Sequence, residues 1–189
     1  GNFQKVTQDL GFPTDRSLVS PSSGLIRNLF SEVDFTAGFQ GTSILGVQSL
    51  GLTLEDGLFL GSTFQNSNLG RTGLVLGASA NITIRRCAAI GNVSTLPGTG
   101  SQGVGGFVGL LVTANALIED CYFIGTVQGQ RRTAGFVGRN LSGGIVRRCY
   151  TVSPVSGNAL LGGFCAFNSG TIEASYWNTD VSISTSTGG

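Results

Sequence analysis

The sequence contains no histidine and no methionine, has a single lysine at Lys5, and is only 11% charged, where typical domains have about 25%. Histidine is the commonest metal ligand and acid–base group at neutral pH, so its absence argues against a metal centre, a cofactor and an enzyme, without excluding carboxylate chemistry. The net charge of +1 argues against a nucleic acid partner. No apolar run reaches the roughly 18 residues of a membrane span, so we expect no membrane insertion.

Glycine, by contrast, is abundant, with 31 in 189 residues, and it marks out a repeat. One mark is of the Gly-Phe-Val-Gly type and lies at residues 105–109, 134–138 and 162–166. The other ends in Cys-Tyr or Ser-Tyr and lies at residues 116–122, 144–150 and 170–176. Two marks that recur at nearly the same interval and in a fixed order indicate a repeat architecture.

The segments between the glycines are short and β-branched, as in Ile82-Thr-Ile84, and none shows a sustained helical period. This pattern predicts an all-β chain, folded as a parallel β-solenoid whose coils stack about 4.8 Å apart. We expect residues 24–182 to form the solenoid, most clearly over 105–182. Residues 1–23 are then an N-terminal cap or strand-exchange segment, and residues 183–189 a Ser/Thr/Gly tail. Aligning the second mark gives about six coils and one column of equivalent residues: Leu29, Leu50, Cys87, Cys121, Cys149 and Ser175.

The two marks, with a Gly-x-Val-x-Gly stretch between them, resemble the GLUG repeat of secreted bacterial adhesin-like and surface proteins. Residues 144–150, 155–157 and 162–168 carry the pattern, as do residues 120–129 with 135–140, and residues 174–182 are similar to the end of such arrays. The pattern is broken at Leu110-Leu111, where Asn is usual, and at Cys165-Ala166, where Val-Gly is usual. The resemblance implies a right-handed β-helix, an extracellular or cell-surface location and no catalytic residues.

Three cysteines occupy the aligned column, and Cys87, Cys121 and Cys149 would stack about 4.8 Å apart. That spacing lies within the Cα range of a disulfide, but side chains in register point in parallel, which is poor disulfide geometry. Zinc sites use Cys-x-x-Cys or histidine ligands, and the chain has neither. We interpret the column as buried free thiols with a structural role, the alternatives being one bridge or a bound metal.

Charged residues of alternating sign precede this column. Two residues before it stand Arg85, Glu119, Arg147 and Glu173; one residue before it stand Arg86, Asp120 and Arg148, followed by Ala174. In a parallel stack each side chain meets its equivalent on the next coil, so alternation turns repulsion into attraction. We interpret this charge ladder as a structural device that sets the register of the coils. The functional alternative is an arginine cluster that binds anions.

The aromatic residues form two columns. Phe107, Phe136 and Phe164, continued by Leu74, are expected to stack in the core. Tyr122, Tyr150 and Tyr176 directly follow the cysteine column, and alternation along a strand places them on the opposite, exposed face. A tyrosine stripe can bind sugar rings or dock a partner subunit. The alternative is a surface ladder that only stabilises the stack.

The leading hypothesis for function is an extracellular structural or adhesive module that associates with itself, head to tail, into a filament or surface fibre. A solenoid has two open ends, and heterologous contacts between ends generate filaments. The second hypothesis is a carbohydrate-binding module that uses the tyrosine stripe on a carbohydrate or host surface. The third is a polysaccharide-cleaving β-helix enzyme, for which no catalytic signature is present.

Overall fold

The computed structural model describes residues 5–6, 23–37, 41–45, 51–65, 70–96, 103–112 and 115–183. Within these ranges the backbone forms strands, turns and bends; it forms no helix, and therefore none long and apolar enough to cross a membrane. All the strand pairings are parallel. The predicted all-β parallel solenoid is confirmed.

The coils contribute strands to four parallel sheets, numbered here in the order in which the chain meets them from Gly24 onward. Sheet 1 consists of Gly24–Arg27, Leu52–Glu55, Ile82–Arg85, Leu117–Glu119, Ile145–Arg147 and Thr171–Glu173. Sheet 2 consists of Lys5–Val6, Phe30–Glu32, Phe35–Ala37, Leu58–Gln65, Ala88–Thr95, Tyr122–Gln128, Tyr150–Val152, Val155–Ser156 and Tyr176–Trp177. Sheet 3 consists of Gly41–Thr42, Arg71–Thr72, Gly103–Gly105, Arg131–Ala134 and Ala159–Gly162. Sheet 4 consists of Leu76–Ser79, Val108–Leu111, Val137–Asn140 and Cys165–Asn168.

The number of coils differs slightly from the expected six. Sheet 1 has six strands, but sheet 4 has four among the described residues, so the solenoid has about four complete turns between an incomplete first and last coil. At the N-terminal end, Lys5–Val6 pairs with Phe30–Ser31 and adds one strand to sheet 2. The rest of the expected cap, up to residue 22, lies outside the described residues, as do residues 184–189 of the expected tail.

The second coil was placed wrongly in the sequence alignment. Leu52 pairs with Ile82, and Leu58 pairs with Ala88, so the residue in register with Cys87 is Gly57 and not Leu50, which lies outside the described residues. Leu29 is placed correctly, because Gly24–Arg27 pairs with Leu52–Glu55. The error arose because Gly57 carries no side chain that could reveal its place in the column.

One residue with a left-handed backbone makes the corner between sheets 1 and 2 in every coil. Left-handed geometry costs most L-residues about 1–2 kcal/mol, and asparagine and aspartate tolerate it best. The same φ recurs, between 43° and 58°, at Asn28, Asp56, Arg86, Asp120, Arg148 and Ala174. Because every coil turns in the same way here, the strand residue before the corner and the cysteine column after it are held in register along the whole stack.

The Gly-Phe-Val-Gly mark forms the tight connection between sheets 3 and 4. Its phenylalanine points into the core, where Phe136 stacks on Phe107 and Phe164 with ring centroids 4.9 and 5.0 Å apart. Leu74 continues this buried column as expected. Its second glycine allows the two sheets to touch: a Cβ on Gly138 would lie 2.5 Å from the backbone nitrogen of Val104. The glycines of the repeat are therefore required by close backbone packing.

Candidate functional site

The charge ladder runs along one edge of the solenoid, where sheet 1 ends at its corner. The last residues of the sheet 1 strands are in register and alternate in sign through all six rungs: Arg27, Glu55, Arg85, Glu119, Arg147 and Glu173. The pairing of Arg85 with Glu119 and of Glu119 with Arg147 follows the expected spacing. Sequence reasoning missed Glu55 and Asp56 because the second coil had been misplaced. It also missed Arg27, which lies two residues before the correctly placed Leu29, because the ladder was predicted only from the coils that carry a cysteine or Ser175 in the column.

The two glutamates inside the ladder, Glu55 and Glu119, are more deeply buried than the carboxylates of ordinary surface ion pairs. The Glu119 side chain is only 8% exposed and lies 2.6 Å from Arg85, 2.7 Å from Arg147 and 2.7 Å from Arg148. Glu55 repeats this arrangement two coils earlier with Arg27 at 3.0 Å, Arg86 at 3.4 Å and Arg85 at 3.8 Å. Each carboxylate therefore joins three coils, whereas the sequence alone suggested two exposed pairs.

The corner residues add a second, more exposed line of pairs. Arg148 binds Asp120 through two hydrogen bonds of 2.6 and 2.9 Å, and Arg86 binds Asp56 through two of 2.7 and 3.1 Å. Such forked pairs are among the stronger charge-assisted hydrogen bonds. Hydrogen bonding lowers the pKa of Asp120 and of Asp56, and it raises the pKa of both arginines.

The pKa of Glu119 is also lowered, through a balance of opposing influences. Burial, the largest, would raise it by penalising the charged form. Hydrogen bonds from Arg147 and Arg148 and the charges of Arg147 and Arg85 outweigh burial and keep the carboxylate ionised. The arginines of the ladder are thus occupied by carboxylates, which favours the structural interpretation over anion binding at this edge.

The cysteine column lies inside the same corner. Cys87, Cys121, Cys149 and also Cys165 are buried free thiols. The thiols of Cys87, Cys121 and Cys149 each donate to the carbonyl oxygen two residues earlier, at 3.1–3.2 Å, so they close the left-handed corner from within. The hydroxyl of Ser175 makes the same contact with Glu173 at 2.9 Å. Burial raises the pKa of Cys121 well above its ordinary value and that of Cys165 to about 12. Such thiols are poor nucleophiles and poor metal ligands.

The tyrosines lie on the outer face of sheet 2 in one column. Tyr122 pairs in register with Tyr150, which pairs with Tyr176, and the first two rings stack with centroids 5.1 Å apart. Exposure rises along the column to 43% at Tyr150 and 68% at Tyr176. Ile124, two residues after Tyr122 on the same strand, is also exposed, as is Ile90, which pairs in register with Ile124 on the preceding coil. Together they form an aromatic and aliphatic strip along one side of the solenoid.

A second group of charges was not foreseen. Arg71, Arg131 and Arg132 lie in strands of sheet 3, and Arg139 lies in sheet 4. The signal was available in the sequence, because Arg71 and Arg132 take equivalent positions on either side of Gly103 in the repeat. These arginines lie in sheets 3 and 4, whereas the ladder was predicted from the residues that directly precede the cysteines. Across the described ranges, no group of three or more His, Cys, Asp and Glu residues is placed to hold a metal ion.

Comparison with known proteins adds one finding to this geometry. Residues 100–128 match the family model of the GLUG motif. The matched stretch includes strands Gly103–Gly105, Val108–Leu111, Leu117–Glu119 and Tyr122–Gln128, and so one strand of each sheet. One GLUG motif therefore corresponds to about one turn of the solenoid. Among curated proteins and among solved structures, nothing matches the chain.

Proposed function

We propose that this solenoid with a GLUG motif is a structural module of an extracellular surface and that it associates head to tail with further copies of itself. The observation that carries the proposal is the opposite charge at the two ends of the ladder. The first described rung ends in Arg27, which is 59% exposed at its side chain, and the last ends in the exposed Glu173. Within the described residues Glu173 makes no ion pair, although Arg147 lies in register with it.

Six rungs of alternating sign start positive and finish negative. A copy that approaches head to tail therefore brings the positive Arg27 toward the negative Glu173. A copy that approaches head to head brings two like charges together, which is unfavourable. The ladder thus favours one polarity, and a repeated head-to-tail contact generates a filament and not a closed dimer.

The ends of the core also favour stacking. Ile26 and Leu29 at the first coil, and Ile172 and Trp177 at the last, pack against the core but are only partly buried. No described strand pairs with the outer edge of Thr171–Glu173 or of Tyr176–Trp177. A parallel edge that has no partner among the described strands is a template for another strand. On sheet 2 of the next copy the first described strand is Lys5–Val6, one rung before Phe30–Glu32, so Arg27 would face Glu173 across one intervening rung of sheet 1.

The extracellular location is supported by the GLUG motif, since the repeat that it resembles belongs to secreted surface proteins. The buried thiols are compatible with an oxidising compartment. Disulfides form readily there, but the four thiols of this chain are sheltered from solvent.

Light scattering and electron microscopy over a range of protein concentrations test the association. Glu173→Gln should weaken it and Glu173→Arg should weaken it further, because attraction at the junction becomes repulsion; high salt should reduce the difference. Gln128→Arg changes the net charge by the same amount as Glu173→Gln. Gln128 is exposed on an inner strand of sheet 2, away from both ends of the solenoid, so this variant should leave association unchanged. A protein that stays monomeric at millimolar concentration in low salt would contradict the proposal.

A second candidate function is carbohydrate binding by the tyrosine strip. It is favoured by the exposure of Tyr150 and Tyr176 on a flat sheet face, since exposed aromatic rings in a row suit stacking against sugar rings. Replacement of both tyrosines by alanine should abolish retention on a neutral polysaccharide matrix while leaving the melting temperature nearly unchanged. If the variant is retained as strongly as the unchanged protein, the tyrosine strip is not a carbohydrate-binding site.

A further inference from the structure

The charges of the solenoid are distributed unevenly between its sides. At the corner of sheets 1 and 2 the arginines of the ladder contact carboxylates. The described strands of sheets 3 and 4 contain four arginines and not one aspartate or glutamate: Arg71, Arg131, Arg132 and Arg139. Among the described residues, therefore, the strands of sheets 3 and 4 contribute only positive charge, although the net charge of the whole chain is only +1.

Three of these arginines converge on one glycine. Gly103 pairs with Arg71 on the preceding coil, and Val104 pairs with Thr133 on the next coil, which places Arg132 opposite Gly103. Arg71 and Arg132 are thus separated by one rung that carries no side chain. The side chain of Arg139 lies beside this rung, since a Cβ on Gly103 would be 3.4 Å from the Cγ of Arg139; the backbone of Gly109 is packed against the same position, with its carbonyl oxygen closer still. We call Arg71, Gly103, Arg132 and Arg139 the arginine notch.

The charges in the notch lie close enough to affect one another. The pKa of Arg139 is lowered, first by burial and then by the positive charges of Arg132 and Arg71. The buried Nε of Arg132 donates no hydrogen bond within the described part of the chain. An anion held among the guanidinium groups would relieve the repulsion and accept such hydrogen bonds, and guanidinium groups match carboxylate and sulfate in shape.

An aromatic ring lies beside the notch on the next coil. Phe167 pairs in register with Arg139, is 39% exposed, and has its ring centroid 5.5 Å from the Cζ of Arg139. A half-exposed ring next to an anion site suits an acidic sugar, which offers an apolar ring face and a charged group together. A nucleic acid fits less well, because its binding draws on many phosphate contacts and this site has three arginines.

We propose that the arginine notch binds acidic polysaccharide, with the carboxylate or sulfate group held among Arg71, Arg132 and Arg139 and the sugar ring against Phe167. The site lies on sheets 3 and 4, whereas the ladder lies at the corner of sheets 1 and 2, and glycan binding there does not depend on head-to-tail association. It would give a surface module a specific affinity for uronate-containing or sulfated glycans.

Calorimetric titration with heparin and polygalacturonate tests this site, with neutral dextran and duplex DNA as comparison ligands. Arg132→Gln and Arg139→Gln should each weaken binding of the acidic glycans about tenfold, because each removes charged hydrogen bonds. Arg139→Lys keeps the charge and the packed stem but loses the forked geometry, and should weaken binding severalfold. Phe167→Ala should weaken glycan binding and leave binding of inorganic sulfate unchanged.

The matched control is Arg86→Gln, which removes the same charge from the ladder corner and should leave glycan affinity within twofold. All variants are first compared by circular dichroism, so that binding is measured on folded protein. The proposal is overturned by three results. Any one of them suffices: neither acidic glycan binds at low salt, Arg86→Gln weakens glycan binding as much as Arg132→Gln or Arg139→Gln does, or duplex DNA binds as tightly as the glycans.

Discussion

Neutralising Glu119 is the sharpest test of the charge ladder. Glu119→Gln preserves the size of the side chain and removes the charge that lies between Arg85, Arg147 and Arg148, each within 2.7 Å. The three arginines then face one another without the central carboxylate. We expect Glu119→Gln to lower the free energy of unfolding, and to lower it more than Glu173→Gln does at the end of the ladder.

The size of the effect follows from burial. The Glu119 side chain is 8% exposed, but its arginine partners are 38–50% exposed, so water screens the interaction from one side. Breaking a fully buried pair costs about 3–5 kcal/mol and an exposed pair about 0.2–1 kcal/mol. We expect about 2 kcal/mol for Glu119→Gln, which in a chain of this length lowers the melting temperature by about 4–8 °C.

Thermal and urea unfolding followed by circular dichroism measure this difference. Glu173→Gln is the matched control, because Glu173 is exposed and makes no ion pair within the described residues; it should change stability by less than about 0.5 kcal/mol. Both variants are compared at low protein concentration, where association adds no stability. In 1 M salt the effect of Glu119→Gln should shrink, because the Debye length falls to about 3 Å.

The pH dependence provides a second readout. The folded-state pKa of Glu119 lies below its ordinary value, so its ionised form stabilises the native state above about pH 4.3 and this stabilisation is lost as the pH falls through the folded pKa. Glu119→Gln should therefore flatten the loss of stability on acidification. Equal melting temperatures for Glu119→Gln and Glu173→Gln at low salt would refute the view that Glu119 joins three coils.

Three further predictions concern the thiols, the glycines and the corners. A maleimide reagent should label the four cysteines only after unfolding, and a native disulfide found by mass spectrometry would contradict the thiol column. Gly91→Ala should destabilise by more than about 3 kcal/mol, because its Cβ would collide with the carbonyl oxygen of Gly61, while Gly24→Ala, at a similarly positive φ but with open space around it, should cost far less. Ala174→Gly should stabilise by about 0.5–1 kcal/mol in urea unfolding, since Ala174 is left-handed at φ 43° and exposed; a loss of stability would mean that the corner is not strained.

Much of the solenoid could be predicted because its repeat is local and regular. Cys121 and Tyr122 recur as Cys149 and Tyr150 at a fixed interval, and in a parallel stack equal spacing in sequence becomes direct contact in space. The same logic identified the stacking of Phe107 on Phe136 and the alternation of Arg85 with Glu119. It failed at Leu50, because the residue of the second coil in the cysteine column is Gly57, which has no side chain that could identify the position in the sequence.

The sequence by itself determined the all-β class, the parallel stacking and the face on which each column lies, because these follow from periodicity and from alternation along a strand. Only the tertiary structure decided how deeply Glu119 is buried and how many arginines reach it, because these depend on the corner that turns both Arg147 and Arg148 toward the same carboxylate on the preceding coil. The same holds for the arginine notch. Arg71, Arg132 and Arg139 come from two coils and two sheets, and only the packing of sheet 3 against sheet 4 brings Arg139 beside Gly103, the rung between Arg71 and Arg132.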